Sequence, residues 1–185
     1  ANQLNVLRRN QRLHHHTQDL VGTLASHGID ATVLKGTPLG LRLYGSVAGR
    51  ATGDIDLLVV GEEQFRKLLD ALTSLGFQGR NRPRVSLAVA QRFCHHVLLQ
   101  GDHLRVEAHW DLRRHPSFAV DLQRLLATRD RIASDGGAVA ILSDEYELVT
   151  LALSTYDDGG RAVLGLRTLV DISVLCRRLE AREDW

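Results

Sequence analysis

The chain has 185 residues, 44% of them hydrophobic, with 23 basic against 22 acidic side chains and a net charge of +1. That length and apolar content fit one ordinary core with at most a small appendage, and the near-neutral balance gives no polybasic or polyacidic signal for a partner. No apolar run reaches the length of a membrane span, no signal-peptide pattern opens the chain, and two distant cysteines, Cys94 and Cys176, make neither a disulfide framework nor a zinc motif.

Taken in chain order, Leu4 to His27 has helical periodicity, with Leu4, Leu7, Leu13, Leu20 and Leu24 mostly on one face and Gly28 as the stop. The run His14-His15-His16 lies within it. Consecutive helical residues point in different directions, so the run reads as a solvated or chance feature rather than a metal tract. Ala31 to Leu34 reads as a short strand. Lys35-Gly36-Thr37-Pro38 follows as a strand-to-helix turn, Pro38 suiting the first helical turn. Leu39, Leu41, Leu43 and Tyr44 give that helix its apolar surface.

After a loop from Gly45 to Gly53 comes Asp54-Ile55-Asp56-Leu57-Leu58-Val59-Val60, read as a buried strand. A helix over Gln64 to Leu75 carries Phe65, Leu68, Leu69, Leu72 and Leu75 on one side and ends at Gly76. Gly79 to Arg84 reads as a basic loop whose Arg80, Arg82 and Arg84 are candidates for lining an acceptor cleft. His95 to Gln100 and His103 to Leu112 read as two strands joined at Gly101-Asp102. His95 and His96 are expected on alternate faces, unable to chelate together easily. Asp121 to Thr128 reads as helical, Asp135-Gly136-Gly137 as a turn, Ser143-Asp144-Glu145 as a helix start, Asp157-Asp158-Gly159-Gly160 as an interhelix loop, and Arg161 to Leu179 as a final helix. The expected organisation is a core over residues 1–142 and an all-helical segment over 143–185. The fold class is α+β: a small mixed sheet with flanking helices.

The chemistry centres on Asp54 and Asp56. Side chains alternate across a strand, so both point to one face about 6.6 Å apart, while Ile55 and Leu57 take the other. Two carboxylates held about 4 Å apart repel by roughly 4 kcal/mol at an effective dielectric near 20, which calls for a cation between them. Mg²⁺, with Mn²⁺ as the alternative, is the expected ion, because hard divalent cations are held by carboxylates, waters and substrate phosphates. Glu107 shares a strand face with Arg105 and His109, opposite Val106, Ala108 and Trp110, and supplies a third acid. Three acids on adjacent strands suit a pair of divalent ions acting on a phosphoryl centre. Gly36-Thr37 offers backbone N–H groups at a helix start, a setting that favours anions. Lys35, one of only two lysines, and Arg50 add positive charge for a polyphosphate, each with an ordinary strand-end or salt-bridge role as the alternative. His109 is a candidate accessory group or a core histidine.

Leu34-Lys35-Gly36-Thr37, Tyr44, Arg50, Gly53-Asp54-Ile55-Asp56-Leu57-Leu58-Val59 and Val106-Glu107-Ala108-His109-Trp110, in that order, resemble the uncharacterised nucleotidyltransferase-like family of the DNA polymerase β superfamily. Leu151-Ala152-Leu153 and Leu169-Val170-Asp171-Ile172 are similar to that family's C-terminal helices. The resemblance implies divalent-metal-dependent transfer of a nucleoside monophosphate from a nucleoside triphosphate, ATP favoured, with release of pyrophosphate. It implies that Asp54 and Asp56 bind metal, that Glu107 is the third acid and accepts the acceptor's proton, and that Gly36 and Thr37 touch the phosphates. The implied acceptor is a small molecule or a peptide. Gly36-Thr37 lies further upstream of the acids than the superfamily's usual glycine pair, and the third acid, often Asp, is here Glu. The helix after Glu145 shows Leu153-Ser154 where a His is expected. A non-catalytic nucleotide-binding or interaction module on the same fold is the competing class. Nucleic acid is disfavoured by the few aromatics and the lack of a basic stripe. The short C-terminal part leaves room for an oligomer to complete the acceptor side, and the default location is the cytoplasm.

Overall fold

The computed structural model describes residues 3–79, 94–112, 119–134, 137–158 and 165–182. Its centre is a seven-stranded mixed sheet. The strands are β1 (Thr32–Leu34), β2 (Ile55–Leu58), β3 (Gln78–Gly79), β4 (His96–Gln100), β5 (Arg105–His109), β6 (Asp130–Ser134) and β7 (Gly137–Ile141), in the order β3-β4-β5-β2-β1-β7-β6. β2 lies at the middle, antiparallel to β1 and parallel to β5. The helices among the described residues are α1 (Gln3–Ser26), α2 (Gly36–Tyr44), α3 (Glu62–Ser74), α4 (Leu122–Ala127), α5 (Asp144–Asp158) and α6 (Leu166–Glu180), with a 3₁₀ turn at Val47–Gly49.

Alternation along β2 builds both layers of the core. Ile55, Leu57 and Val59 face a cluster with Val33, Val106 and Ala108, closed by Leu13, Leu20 and Leu24 of α1 and Phe65, Leu68 and Leu72 of α3. Phe65 meets the edge of Trp110 at 4.9 Å between ring centroids, the tilted geometry aromatic pairs favour. Leu58 faces the opposite way, into a cluster with Leu34, Leu112, Leu142 and Leu125 of α4. A third cluster, Leu39, Leu151 and Leu175, joins α2 to α5 and α6. Each fully buried leucine contributes about 1.5–3 kcal/mol relative to exposure.

Ion pairs tie the C-terminal helices to the sheet. Asp144, wholly buried, accepts from Arg42, Arg178 and Arg182. Asp171, also wholly buried, accepts from Arg50 at 2.9 Å and from the Tyr44 hydroxyl at 2.6 Å. Burial and that hydrogen bond push the Tyr44 phenol up to about 12. α4 is capped by the Asp121 carboxylate, which accepts from the Arg124 N–H.

Several sequence expectations change. The hairpin connection is the four residues Gly101 to Leu104, closed by Gly101 N–H on Leu104 O, rather than a two-residue turn. β3, β6 and β7 escape the pattern reading: β3 has two residues, and Ala-rich β7 lacks a strong alternation. Leu4 and Leu75, placed on apolar helix faces, are 58% and 48% exposed. His14 is buried in the α1–α2 contact, with Nδ1 3.2 Å from Thr37 Oγ1, while His15 and His16 are exposed. Asp157 and Asp158 fall in the last turn of α5 rather than in a loop. Arg80, Arg82 and Arg84, Asp135-Gly136, Gly159-Gly160 and the expected helix start at Arg161 lie outside the described residues. No helix among the described residues is long and apolar enough to cross a membrane.

Candidate active site

The site forms where β2 and β5 run side by side. Parallel pairing sets Asp56 directly opposite Glu107 and Leu58 opposite His109. Asp54, just before β2, lies at the strand's entrance, and Arg105 donates to its carboxylate at 2.8 Å. His109 is buried, with Nε2 3.3 Å from Asp56 Oδ1 and 3.6 Å from Glu107 Oε2. Its Nδ1 is buried with no partner among the described residues.

The charges respond to this crowding. Burial raises the Asp54 pKa, the neighbouring charges of Asp56 and Glu107 raise it further, and Arg105 opposes them. The hydrogen bond from His109 holds Glu107 well below the usual carboxylate range, against its own burial. Burial alone would lower the His109 pKa, but the two carboxylates outweigh it and the net shift is upward. Asp56, Glu107 and His109 each offer a donor atom within 4.8 Å of the others. Two carboxylates and an imidazole converging on one point, with a third acid beside them, fit a divalent cation.

The phosphate-side residues divide. Lys35 lines a narrow cleft with Asp56, His95, His109 and Ser154, and its Nζ donates to Ser154 Oγ at 2.6 Å. It is the one described non-glycine residue with positive φ, 56°, and Gly36 continues the turn at φ 65°. Gly36 and Thr37 open α2, but Thr37 is 2% exposed and its hydroxyl faces His14, leaving the backbone as its offering. Arg50 is 4% exposed and spent on Asp171. The structure thus gathers Asp54, Asp56, Glu107, His109 and Lys35, and turns the Arg50 and Thr37 side chains elsewhere.

Three neighbours were not placed here by the sequence: Glu147, which carried no signal, and His95 and His96, expected on alternate faces and unable to chelate together easily. His95 and His96 converge: His96 Nδ1 is 3.0 Å from His95 Nε2, and both belong to a potential metal-binding trio with His109. Face alternation fails because His95 precedes β4. The antiparallel register, His96 opposite His109, was the available signal. Glu147 on α5 is buried near Lys35, Arg50, Arg42 and Asp56, with Oε1 unpartnered among the described residues; burial pushes it up to about 7, against the three cations and with the Asp56 charge adding to the rise. Nothing in its helical spacing distinguished it.

The whole chain, residues 1–185, matches the model of the family described as uncharacterised nucleotidyltransferase, and the protein belongs to that family. Its fold is similar to that of the antibiotic-resistance factor ANT(2'')-Ia. The crystal structure of that protein with adenylyl-2''-tobramycin aligns with a TM-score of 0.58 at 13% identity, over 93% of this chain and 90% of the other. Its solution structure aligns at 0.60 and 13% identity, over 94% and 85%. An antigenic nucleotidyltransferase-like protein from Paracoccidioides brasiliensis aligns at 0.52 and 23% identity, over 88% and 74%. No curated protein matches the chain.

Proposed function

We propose that the protein transfers a nucleoside monophosphate from a nucleoside triphosphate, ATP favoured, to a hydroxyl or amine of a small-molecule or peptide acceptor, releasing pyrophosphate. The observation that carries this reading is the pairing of Asp56 with Glu107 across β2 and β5, with Asp54 alongside and Lys35 in the same cleft. The adenylyl product bound to ANT(2'')-Ia, a protein of similar fold, supports a small-molecule acceptor.

Asp54, Asp56 and Glu107 would hold Mg²⁺ or Mn²⁺. When bound, such an ion neutralises phosphate charge and stabilises the charge that develops on the transferring group. The chain's own residues do the rest. Lys35, held by Ser154, places an ammonium beside the acids for the triphosphate, and the Gly36-Thr37 backbone at the α2 N-terminus adds N–H donors. The acceptor oxygen or nitrogen forms a bond to the α-phosphorus as the bond to the β-phosphate oxygen breaks, and pyrophosphate leaves with that electron pair. Glu107 accepts the acceptor's proton.

Calorimetry of ATP binding tests this reading. Three carboxylates repel a triphosphate, so affinity should fall sharply when the divalent ion is chelated, and Asp56→Asn should remove most of the metal-dependent gain. Equal affinity with and without Mg²⁺ contradicts it.

A further inference from the structure

Nitrogen is a poor donor for Mg²⁺, yet imidazoles crowd one side of this acidic site. His109 Nε2 lies 3.3 Å from Asp56 Oδ1 and 3.6 Å from Glu107 Oε2, and His96 Nε2 lies 3.9 Å from the same Glu107 oxygen. With metal–ligand bonds of about 2.0–2.2 Å, the ligand-to-ligand edge of a tetrahedral site is about 3.3–3.6 Å. Asp56, Glu107 and His109 stand close to that geometry, their donor atoms all within 4.8 Å of one another, while His96 groups with His95 and His109 and reaches Glu107 at 3.9 Å. His96 and His109 are cross-strand partners on β4 and β5, and Asp56 and Glu107 are partners on β2 and β5, so three neighbouring strands hold the four donors.

The surrounding contacts fit the same purpose. His95 Nε2 lies 3.0 Å from His96 Nδ1. With His96 Nδ1–H donating to His95 Nε2, His96 carries its lone pair on Nε2, on the side of Glu107, and His95 gives the outer support that metal-ligating histidines characteristically have. Arg105 pairs with Asp54, and no arginine among the described residues pairs with the Asp56 or Glu107 carboxylate.

We propose that Asp56, Glu107, His96 and His109 form a mixed nitrogen–oxygen site for a borderline transition ion of the Zn²⁺ class, sharing Asp56 and Glu107 with the Asp54/Asp56/Glu107 set that suits Mg²⁺. Imidazole selects zinc, cobalt and their neighbours, whereas all-oxygen sites select Mg²⁺ and Ca²⁺. The metal centre is then heterogeneous, with Asp56 and Glu107 shared between a hard and a borderline ion. This deepens the nucleotidyltransferase reading and depends on it only for the Mg²⁺ position.

The test uses the full chain, stripped with a chelator and titrated with Co²⁺ in the absence of nucleotide. Four-coordinate Co²⁺ should give intense visible bands that saturate at one equivalent. Zn²⁺ should abolish them, and a large excess of Mg²⁺ should leave them. His96→Gln and Glu107→Gln should each weaken Co²⁺ binding by at least about 100-fold, and His95→Phe, acting from outside, by about 10–100-fold. Asp54→Asn should keep the spectrum. Circular dichroism checks the fold of each variant. If His109→Gln does not fold, the partly exposed His96 decides the question, since its side chain is 31% accessible. Failure to develop the bands overturns the site, as does their survival in folded His96→Gln or their loss to Mg²⁺. Saturable Co²⁺ binding by a protein that never transfers a nucleotide overturns the transferase reading and leaves this site standing.

Discussion

Asp56 and Glu107 face each other across the parallel strands β2 and β5, and the His109 imidazole nitrogen reaches both. The two acids belong to segments 51 positions apart, brought together by strand register alone. A shift by one residue would turn Glu107 to the apolar face and replace it with Val106 or Ala108.

Glu107→Gln keeps the shape and removes the proton acceptor. Turnover should fall by roughly 10²–10⁴-fold, with a smaller effect on nucleotide affinity. Steady-state kinetics beside calorimetry checks the split. A loss confined to affinity would make Glu107 a binding group only.

Lys35 combines a charge with a strained backbone, φ 56° and ψ −131°. Lys35→Met should weaken triphosphate binding and leave the strain in place. Lys35→Gly should weaken binding equally and melt higher than Lys35→Met, since such strain costs on the order of 1–3 kcal/mol. Melting curves of the two variants decide this, and equal melting temperatures would remove the strain argument.

Arg50 and Asp171 form a pair whose side chains are 5% and 0% exposed. Arg50→Met or Asp171→Leu alone should destabilise by about 3–5 kcal/mol, because each leaves a buried charge unpaired. The double variant should recover much of that loss. A double-mutant cycle in urea measures the coupling. Little destabilisation in Arg50→Met, with a large loss of nucleotide affinity, would restore Arg50 as a triphosphate ligand.

Glu147 has a pKa pushed up to about 7 by burial. The folded state therefore holds a proton that the unfolded state releases at ordinary carboxylate pH. Stability from this group is full below about pH 4.5, falls as pH rises, and is lost above about pH 7. Glu147→Gln mimics the protonated acid at every pH. It should match wild type near about pH 4.5 and exceed it above neutrality, by up to about 3 kcal/mol. Thermal melts across that range check it; a difference that does not grow with pH contradicts the shift.

The sheet's centre was legible because its signals are local. Asp54-Ile55-Asp56 alternates across one strand, Phe65, Leu68 and Leu72 repeat along one helix face, and Val106, Ala108 and Trp110 alternate against Glu107 and His109. What escaped depends on partners distant in sequence. Arg50 finds Asp171 only after α6 has packed on α2, and His95 reaches His96 because it lies outside the strand's alternation. Glu147 is buried by layers the helical pattern does not describe. β3 and β7 are strands by pairing rather than by composition.

The most direct measurement is product analysis of ATP incubated with the protein, Mg²⁺ and a panel of amine- and hydroxyl-bearing acceptors, small molecules and peptides, with water as the default acceptor. Cleavage between the α- and β-phosphates separates nucleotidyl transfer from phosphoryl transfer. Nucleotidyl transfer predicts pyrophosphate together with AMP or an adenylylated acceptor. Formation should stop on chelation and fall by at least about 10²-fold in folded Asp56→Asn. ADP and inorganic phosphate as the metal-dependent products, or undiminished pyrophosphate release by Asp56→Asn, would contradict it.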